Sequence, residues 1–166
     1  MPYSNGFSLR LAPKGSGKFI LGSPAVGPDT ITAPLIRSSN PDAFPTGTLP
    51  YKRDVTMCWS AGAAKSCGIT DFDIGTPSTI VSPTSLPKAP TETEPGSEIL
   101  TPGTAVSVQI PSGAPVWRYR ANLNYGNGLT QLTSSAGPGF NSGIVPFYTH
   151  TIGWNLKRGQ IVISPA

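Results

Sequence analysis

Ionisable side chains are scarce in this 166-residue chain, and their scarcity excludes several classes of protein. Asp, Glu, Lys and Arg make up 12% of the residues, about half of their usual share in soluble domains. The single histidine, His150, is the only candidate base for a hydrolytic triad. It lies on a segment of alternating apolar and polar residues that is typical of a packed strand. The sequence therefore predicts a protein that is not an enzyme.

Motifs for cofactors and metals are also missing. The basic loop from Lys14 to Lys18 resembles a phosphate-binding loop in composition only, because the Walker pattern needs Gly and Ser or Thr where Ala12 and Phe19 stand. One histidine and two cysteines are too few for a zinc site. Asp71 and Asp73 would share one face of a strand, where we interpret them as solvated, with a calcium site or a catalytic carboxylate pair as alternatives. We predict no cofactor and no metal.

Long apolar runs are absent too. No stretch approaches the roughly 20 apolar residues that a membrane-spanning helix needs, and the first residues show neither the basic nor the apolar part of a secretory signal. The net charge is +4, but the basic residues are scattered. Proteins that bind nucleic acids cluster such residues. We therefore expect no membrane span, no signal peptide and no nucleic-acid partner.

The two cysteines leave two interpretations open. Cys58 and Cys67 are close enough in sequence to form a disulfide around a short loop, which would add about 2.5–3 kcal/mol of stability by the chain-entropy estimate. Two free thiols buried in a β-rich core fit equally well, because disulfides form only in oxidising surroundings.

Glycine and proline are the residues that the chain has in excess, at 19 each. Proline inside a helix costs about 3 kcal/mol and favours extended backbone in the residue before it. Little room is left for helices, and the best helical candidate is a turn or two over residues 61–65. Residues 75–103 and 23–50 are so rich in proline that they are typical of extended, polyproline-like arms.

Strands are predicted where apolar and polar residues alternate with a period of two. The clearest is residues 116–125, and the Asn-Gly pair at 127–128 favours a hairpin turn after which residues 129–133 return antiparallel. A second hairpin is predicted from residues 148–156 and 160–163. Shorter strands are expected at residues 6–12, 18–21, 30–36, 55–59, 69–74 and 105–110.

This pattern predicts an all-β fold, an antiparallel β-sandwich or barrel with a jelly roll among the arrangements that fit, carrying long Pro/Gly-rich extended arms. Three parts are expected along the chain: an N-terminal extended and β segment over 1–74, an arm or linker over 75–103, and antiparallel hairpins over 104–166. The first and third parts would form one composite domain.

A low-charge β-protein with arms fits a structural subunit of a large assembly, and a virion protein is the leading hypothesis: a minor capsid, cement (decoration) or tail component. It would be made in the host cytoplasm, form homo-oligomers and bind neighbouring subunits through its arms, since preordered segments lose less entropy on docking. The alternative is a carbohydrate-binding or adhesin-like β-sandwich. Its candidate contact aromatics are Trp117, Tyr119 and Trp154, although their alternation with polar residues favours a place in the core.

Overall fold

The computed structural model describes residues 5–12, 15–40, 50–95, 97–113, 115–122, 130–133 and 138–166. Within these ranges the chain forms β-strands and one 3₁₀ turn over Val145–Tyr148, and no α-helix. The first seven strands are β1 (Gly6–Arg10), β2 (Lys18–Leu21), β3 (Ile31–Arg37), β4 (Tyr51–Ala61), β5 (Ala64–Asp71), β6 (Thr79–Val81) and β7 (Thr91–Glu94). The others are β8 (Ser97–Leu100), β9 (Ala105–Gln109), β10 (Pro115–Arg120), β11 (Thr130–Leu132), β12 (Phe140–Asn141), β13 (His150–Asn155) and β14 (Gln160–Pro165). The all-β prediction is confirmed.

The chain divides into two compact units whose boundaries differ from the predicted ones. Unit 1 consists of Met1–Val55 and Phe147–Ala166, and unit 2 is Thr56–Pro146. Unit 1 is discontinuous because the N-terminal strands pair with the C-terminal hairpin. Strand β4 supplies its first residues to unit 1 and the rest to unit 2.

Unit 1 is an antiparallel sheet in the order β2-β1-β13-β14-β3, with the start of β4 beside β3. The predicted C-terminal hairpin is present, in a register that runs from His150 opposite Pro165 to Asn155 opposite Gln160. Its turn needs glycine at position 159, where φ is +62° and a Cβ would stand 2.3 Å from the Tyr51 ring.

The core of unit 1 forms around Trp154. Its indole stacks on Phe7 with ring centroids 4.8 Å apart, and Phe147 lies 6.4 Å away, also stacked. The indole Nε1 donates a hydrogen bond to the backbone carbonyl of Arg53 at 3.2 Å, which satisfies the polar end of a buried ring. Trp154 therefore joins β1, β13 and the start of β4 within one core.

Unit 2 has the strand order β10-β9-β4-β5-β12-β6-β11-β8-β7 and is mixed rather than purely antiparallel. Strand β12 pairs parallel with β5, and β11 pairs parallel with β6, while the other pairs with a described register are antiparallel. The antiparallel prediction therefore fails at these two pairs. The sandwich or barrel arrangement remains a prediction.

An aromatic cluster forms the core of unit 2. Trp59 stacks flat on Phe140, with centroids 5.0 Å apart and an interplanar angle of 2°, and meets Trp117 edge-on at 5.6 Å. Phe72 also meets Trp117 edge-on, with ring centroids 5.4 Å apart. The buried Nε1 of Trp59 donates to the Thr70 hydroxyl at 2.9 Å. These contacts link strands β4, β5, β10 and β12 and the loop after β5.

Strands β4 and β5 form a tight hairpin that a disulfide closes. Two residues, Gly62 and Ala63, make the turn, and φ of Gly62 is +58°. Cys58 and Cys67 each lie four residues from the nearer turn residue, so they face each other, and they are bonded with their Cα atoms 3.9 Å apart. The helix predicted over residues 61–65 was wrong, because a glycine with positive φ between two alternating segments makes a hairpin turn.

The prediction of a hairpin between residues 116–125 and 129–133 was also wrong. Strand β10 pairs with β9, whereas β11 has β6 on one edge and β8 on the other, so no edge of β11 is left for β10. The Asn-Gly turn itself lies outside the described residues. The signal for a hairpin was local, and pairing with strands from elsewhere in the chain overrides it.

Residues 75–103 were predicted as an arm, but the structure differs. The segment contains β6, β7 and β8, and Leu86, Ile99 and Leu100 are fully buried. Its prolines lie in turns or next to strand ends, where proline is tolerated. Within the other proline-rich stretch, β3 forms, and residues 41–49 lie outside the described part of the chain.

The disulfide generates a prediction about stability. Replacing both cysteines with serine should lower the free energy of unfolding by about 2.5–3 kcal/mol, because the unfolded chain regains the loop entropy that the bond removes. Urea unfolding with and without reductant measures this change. The reductant should destabilise the native protein and leave the Cys58→Ser/Cys67→Ser variant unaffected. A native protein that is insensitive to reductant, or that reacts as a free thiol in mass spectrometry, would contradict the bond.

Candidate functional site

The three candidate contact aromatics are buried. Trp117 and Trp154 each expose 4% of their surface, and Tyr119 exposes 7%. Rings that stack on sugars must be open to solvent on one face, so these three cannot form a binding platform in the folded chain. The core interpretation of the alternating pattern agrees with the structure.

Tyr119 is nonetheless distinctive, because it carries a hydroxyl into the core of unit 2. Burial raises the pKa of its phenol above the ordinary value of 10.0, while side-chain hydrogen bonds with Thr130 and Thr79 act in the opposite direction. The phenol oxygen lies 3.1 Å from the Thr130 hydroxyl. The neutral phenol is therefore a structural group whose ionisation would be costly.

The polar residues that were candidates for chemistry have structural partners. His150 begins β13, and its Nδ1 lies 2.8 Å from the hydroxyl of its neighbour Thr149. Asp73 lies in the turn after β5 and accepts hydrogen bonds from the Gly75 amide, the Thr76 hydroxyl and the Asn141 side-chain amide at 2.6–2.9 Å. These bonds hold the β12 strand against the loop after β5. The expectation that Asp73 is a solvated strand residue was wrong.

Other kinds of site have little support in the described residues. They contain no group of three or more His, Cys, Asp or Glu side chains placed to hold a metal ion. None of the described residues belongs to a helix with the length and apolar character that crossing a membrane requires. Lys18, at the end of the basic loop, is the first residue of β2, so the described chain continues into a strand and not into the helix of a phosphate-binding loop.

The outstanding surface feature is β2, the edge strand of unit 1. Three consecutive large apolar residues lie in it, and all are exposed: Phe19 at 57%, Ile20 at 44% and Leu21 at 53%. In the described part of the chain β2 pairs only with β1, so its other edge is open. We call residues 18–21, with this open edge, the β2 edge. Open apolar edges are sites where another strand can add.

The exposed residues of β2 continue apolar rows that begin in the core. Leu21 lies opposite Phe7, which lies opposite Trp154, which lies opposite Ile161. Along this row the side chains change from fully buried at Ile161 to half-buried at Phe7 and exposed at Leu21. A second row shows the same gradient, running through Ile163, Ile152, Leu9 and Phe19. The apolar face of unit 1 therefore reaches solvent at the β2 edge.

The backbone of the β2 edge also has a defined pattern. The Gly22 amide donates to the Gly6 carbonyl at 2.9 Å, which makes these two residues a hydrogen-bonded pair. Such pairs alternate along an antiparallel ladder, so Ile20 is bonded to Ser8 opposite it. The N–H and C=O groups of Phe19 and Leu21 must then point away from β1, along the open edge.

Sequence reasoning predicted β2 as a strand but missed its exposure. The signal was present: Lys18-Phe19-Ile20-Leu21 does not alternate, so at least one apolar residue must lie on each face. Such a run is typical of a strand covered on both faces, and the sequence alone does not say whether this chain supplies the cover. The position of β2 at the end of the sheet is what leaves it uncovered.

The buried phenol generates a prediction for alkaline pH. Because the pKa of Tyr119 is higher in the folded chain than in the unfolded one, its contribution is fully present below pH 10 and is lost as pH rises through the folded pKa. Tyr119→Phe should cost about 1 kcal/mol at neutral pH and flatten the decline of unfolding free energy above pH 10. Thr130→Val removes the same hydrogen bond but keeps the phenol, so it should keep the steep decline. Parallel curves for Tyr119→Phe and the native protein would contradict the assignment.

Comparison with protein-family models gives no match for this chain, and comparison with curated proteins gives none either. The exposed β2 edge is therefore the main lead to its function.

Proposed function

We propose that this chain is a non-enzymatic structural subunit of a large assembly, and that the assembly is a virus particle in which it serves as a minor capsid, cement or tail component. The subunit binds neighbouring subunits of the same assembly. Its role is to add rigid β-structure and contact area rather than to convert a substrate.

The observation that carries this proposal is the β2 edge. A strand with three consecutive exposed apolar side chains and unpaired backbone groups is a liability for a protein that stays a monomer, because natural proteins usually protect such edges with charge, proline or cover. Covering the edge with a neighbouring chain removes apolar surface from water and pairs the backbone. We propose that the subunit docks through this sheet edge and not through an arm, because residues 75–103 contain strands of unit 2.

The disulfide supports a location outside reducing compartments. Cys58 and Cys67 are bonded, and the described residues hold no free cysteine. Disulfides persist on virion surfaces and in other oxidising environments, and they are rare in the cytosol. A virion component made in the host cytoplasm would complete this bond after release.

Carbohydrate binding, the alternative, loses its contact groups. Its three candidate rings are in the cores of the two units. No described pocket combines exposed Trp or Tyr rings with converging polar groups, which sugar sites require. The geometry therefore favours the assembly role.

Phe19→Lys provides the test of this role. The substitution puts a charge on the apolar row at the β2 edge, so it should prevent association while leaving the free energy of unfolding within about 0.5 kcal/mol of the native value. Light scattering over a wide range of concentrations measures association. Hydrogen exchange measures protection of the Phe19 and Leu21 amides, which should slow when the native protein associates.

Ile69→Lys is the matched control, because Ile69 is a strand residue that is 50% exposed in unit 2. It adds the same charge at similar exposure and should leave association unchanged. Two results together would exclude the proposed role. The native protein would stay a monodisperse monomer, and its Phe19 and Leu21 amides would be unprotected in the particle from which it is purified.

A further inference from the structure

The β2 edge also indicates which partner covers it. Resting on the proposed assembly role, we infer that the partner is a second copy of this chain, and that the two β2 strands pair antiparallel about a two-fold axis at Ile20. The five strands of unit 1 would then continue into the five strands of the other copy as one sheet.

The backbone groups fit this arrangement. A two-fold at Ile20 places Phe19 of each copy opposite Leu21 of the other, and these are the two residues whose N–H and C=O groups point to the open edge. Each pair would exchange two hydrogen bonds. Ile20, whose own groups bond to β1, would meet its symmetry mate in the non-hydrogen-bonded position. A shift by one residue would lose this match, and a shift by two would place Phe19 or Leu21 beyond the end of the other copy's β2, so the two-fold at Ile20 is the arrangement that pairs both residues.

The side chains fit as well. A two-fold perpendicular to the sheet keeps each face on the same side, so Phe19 and Leu21 of the two copies extend each other's apolar rows. The row from Ile161 to Leu21 would continue into Phe19 of the other copy and onward to its core. Ile20 would pack against Ile20 on the opposite face. All three exposed apolar residues would be covered by the same three residues of the other copy.

Charge does not oppose this pairing. Lys18 is the one charged residue of β2, and the two-fold places it opposite Gly22 of the other copy. The two Lys18 residues would lie about 14 Å apart, since four residues at about 3.4 Å each separate them along the strands. That distance exceeds the Debye length of about 8 Å at physiological ionic strength. Their repulsion is therefore largely screened.

The exposed edge strand β7 of unit 2 is unsuitable. Strand β7 ends the order of unit 2, all four of its residues are exposed, and Glu92 and Glu94 lie in it. Pairing β7 with itself would bring four carboxylates together, and pairing it with β2 would put carboxylates beside Phe19 and Leu21. Of β2 and β7, β2 is the strand that is complementary to itself.

A single engineered cysteine tests the register. The native cysteines are paired with each other, so Ile20→Cys introduces one reactive thiol. Directly opposed residues in a non-hydrogen-bonded pair have Cα atoms about 4.5 Å apart, within the roughly 4.4–6.8 Å that a disulfide spans. Mild oxidation should therefore convert most of the Ile20→Cys protein into a covalent dimer.

Phe19→Cys is the matched control. Its two copies would be about 8 Å apart across the two-fold, because each lies opposite Leu21 and not opposite itself. It should form at least tenfold less covalent dimer than Ile20→Cys under the same oxidation. Circular dichroism checks that both variants fold, which is expected because both sites are exposed.

The outcomes separate the two proposals. Selective crosslinking of Ile20→Cys supports the two-fold. Equal crosslinking of both variants, or none in either, overturns it. If crosslinking fails while the native protein still associates and protects its β2 amides, the copies cover the edge in another arrangement, the two-fold at Ile20 is wrong and the assembly role stands. If the native protein neither associates nor protects those amides, both proposals fail.

Discussion

Pairing of β1 with β13 is the contact on which unit 1 depends. It joins residues from the two ends of the chain, with Phe7 opposite Trp154, and closing a loop of that length costs on the order of 4 kcal/mol in chain entropy. The stacked rings of these two residues bury apolar surface at the point of closure. Without this pair the β1–β2 hairpin would have no sheet to join, and β2 would not be the edge strand of unit 1. Such distant contacts form slowly during folding.

Parts of the fold that rest on local patterns could be predicted from the sequence. The C-terminal hairpin was predicted because alternating segments flank a short turn that contains glycine, and its register follows from the turn. Strands β1 and β9 were predicted from the same alternation, and β2 and β3 were predicted as short strands between turn residues. Burial of Trp117, Tyr119 and Trp154 also follows from alternation, because on a half-buried strand the aromatic face is the one that turns inward.

Features that depend on distant partners could not be predicted. The position of β11 between β6 and β8 is a property of three separate segments, and the Asn-Gly signal concerned only its immediate neighbours. Strand β7 has no apolar residue and forms by pairing with β8. The open edge of β2 likewise follows from strand order in unit 1. Composition indicated an arm over 75–103 because proline marks turns and extended chain alike.

The glutamates on β7 affect how many copies the proposed association can join. A sheet that is adhesive at both ends adds copies without limit and becomes a fibre. In the proposed dimer the β2 edge is covered, and Glu92 and Glu94 on the fully exposed strand β7 would oppose pairing of that strand with further copies. The acidic strand would thus keep the proposed dimer from growing through β7 into a longer sheet.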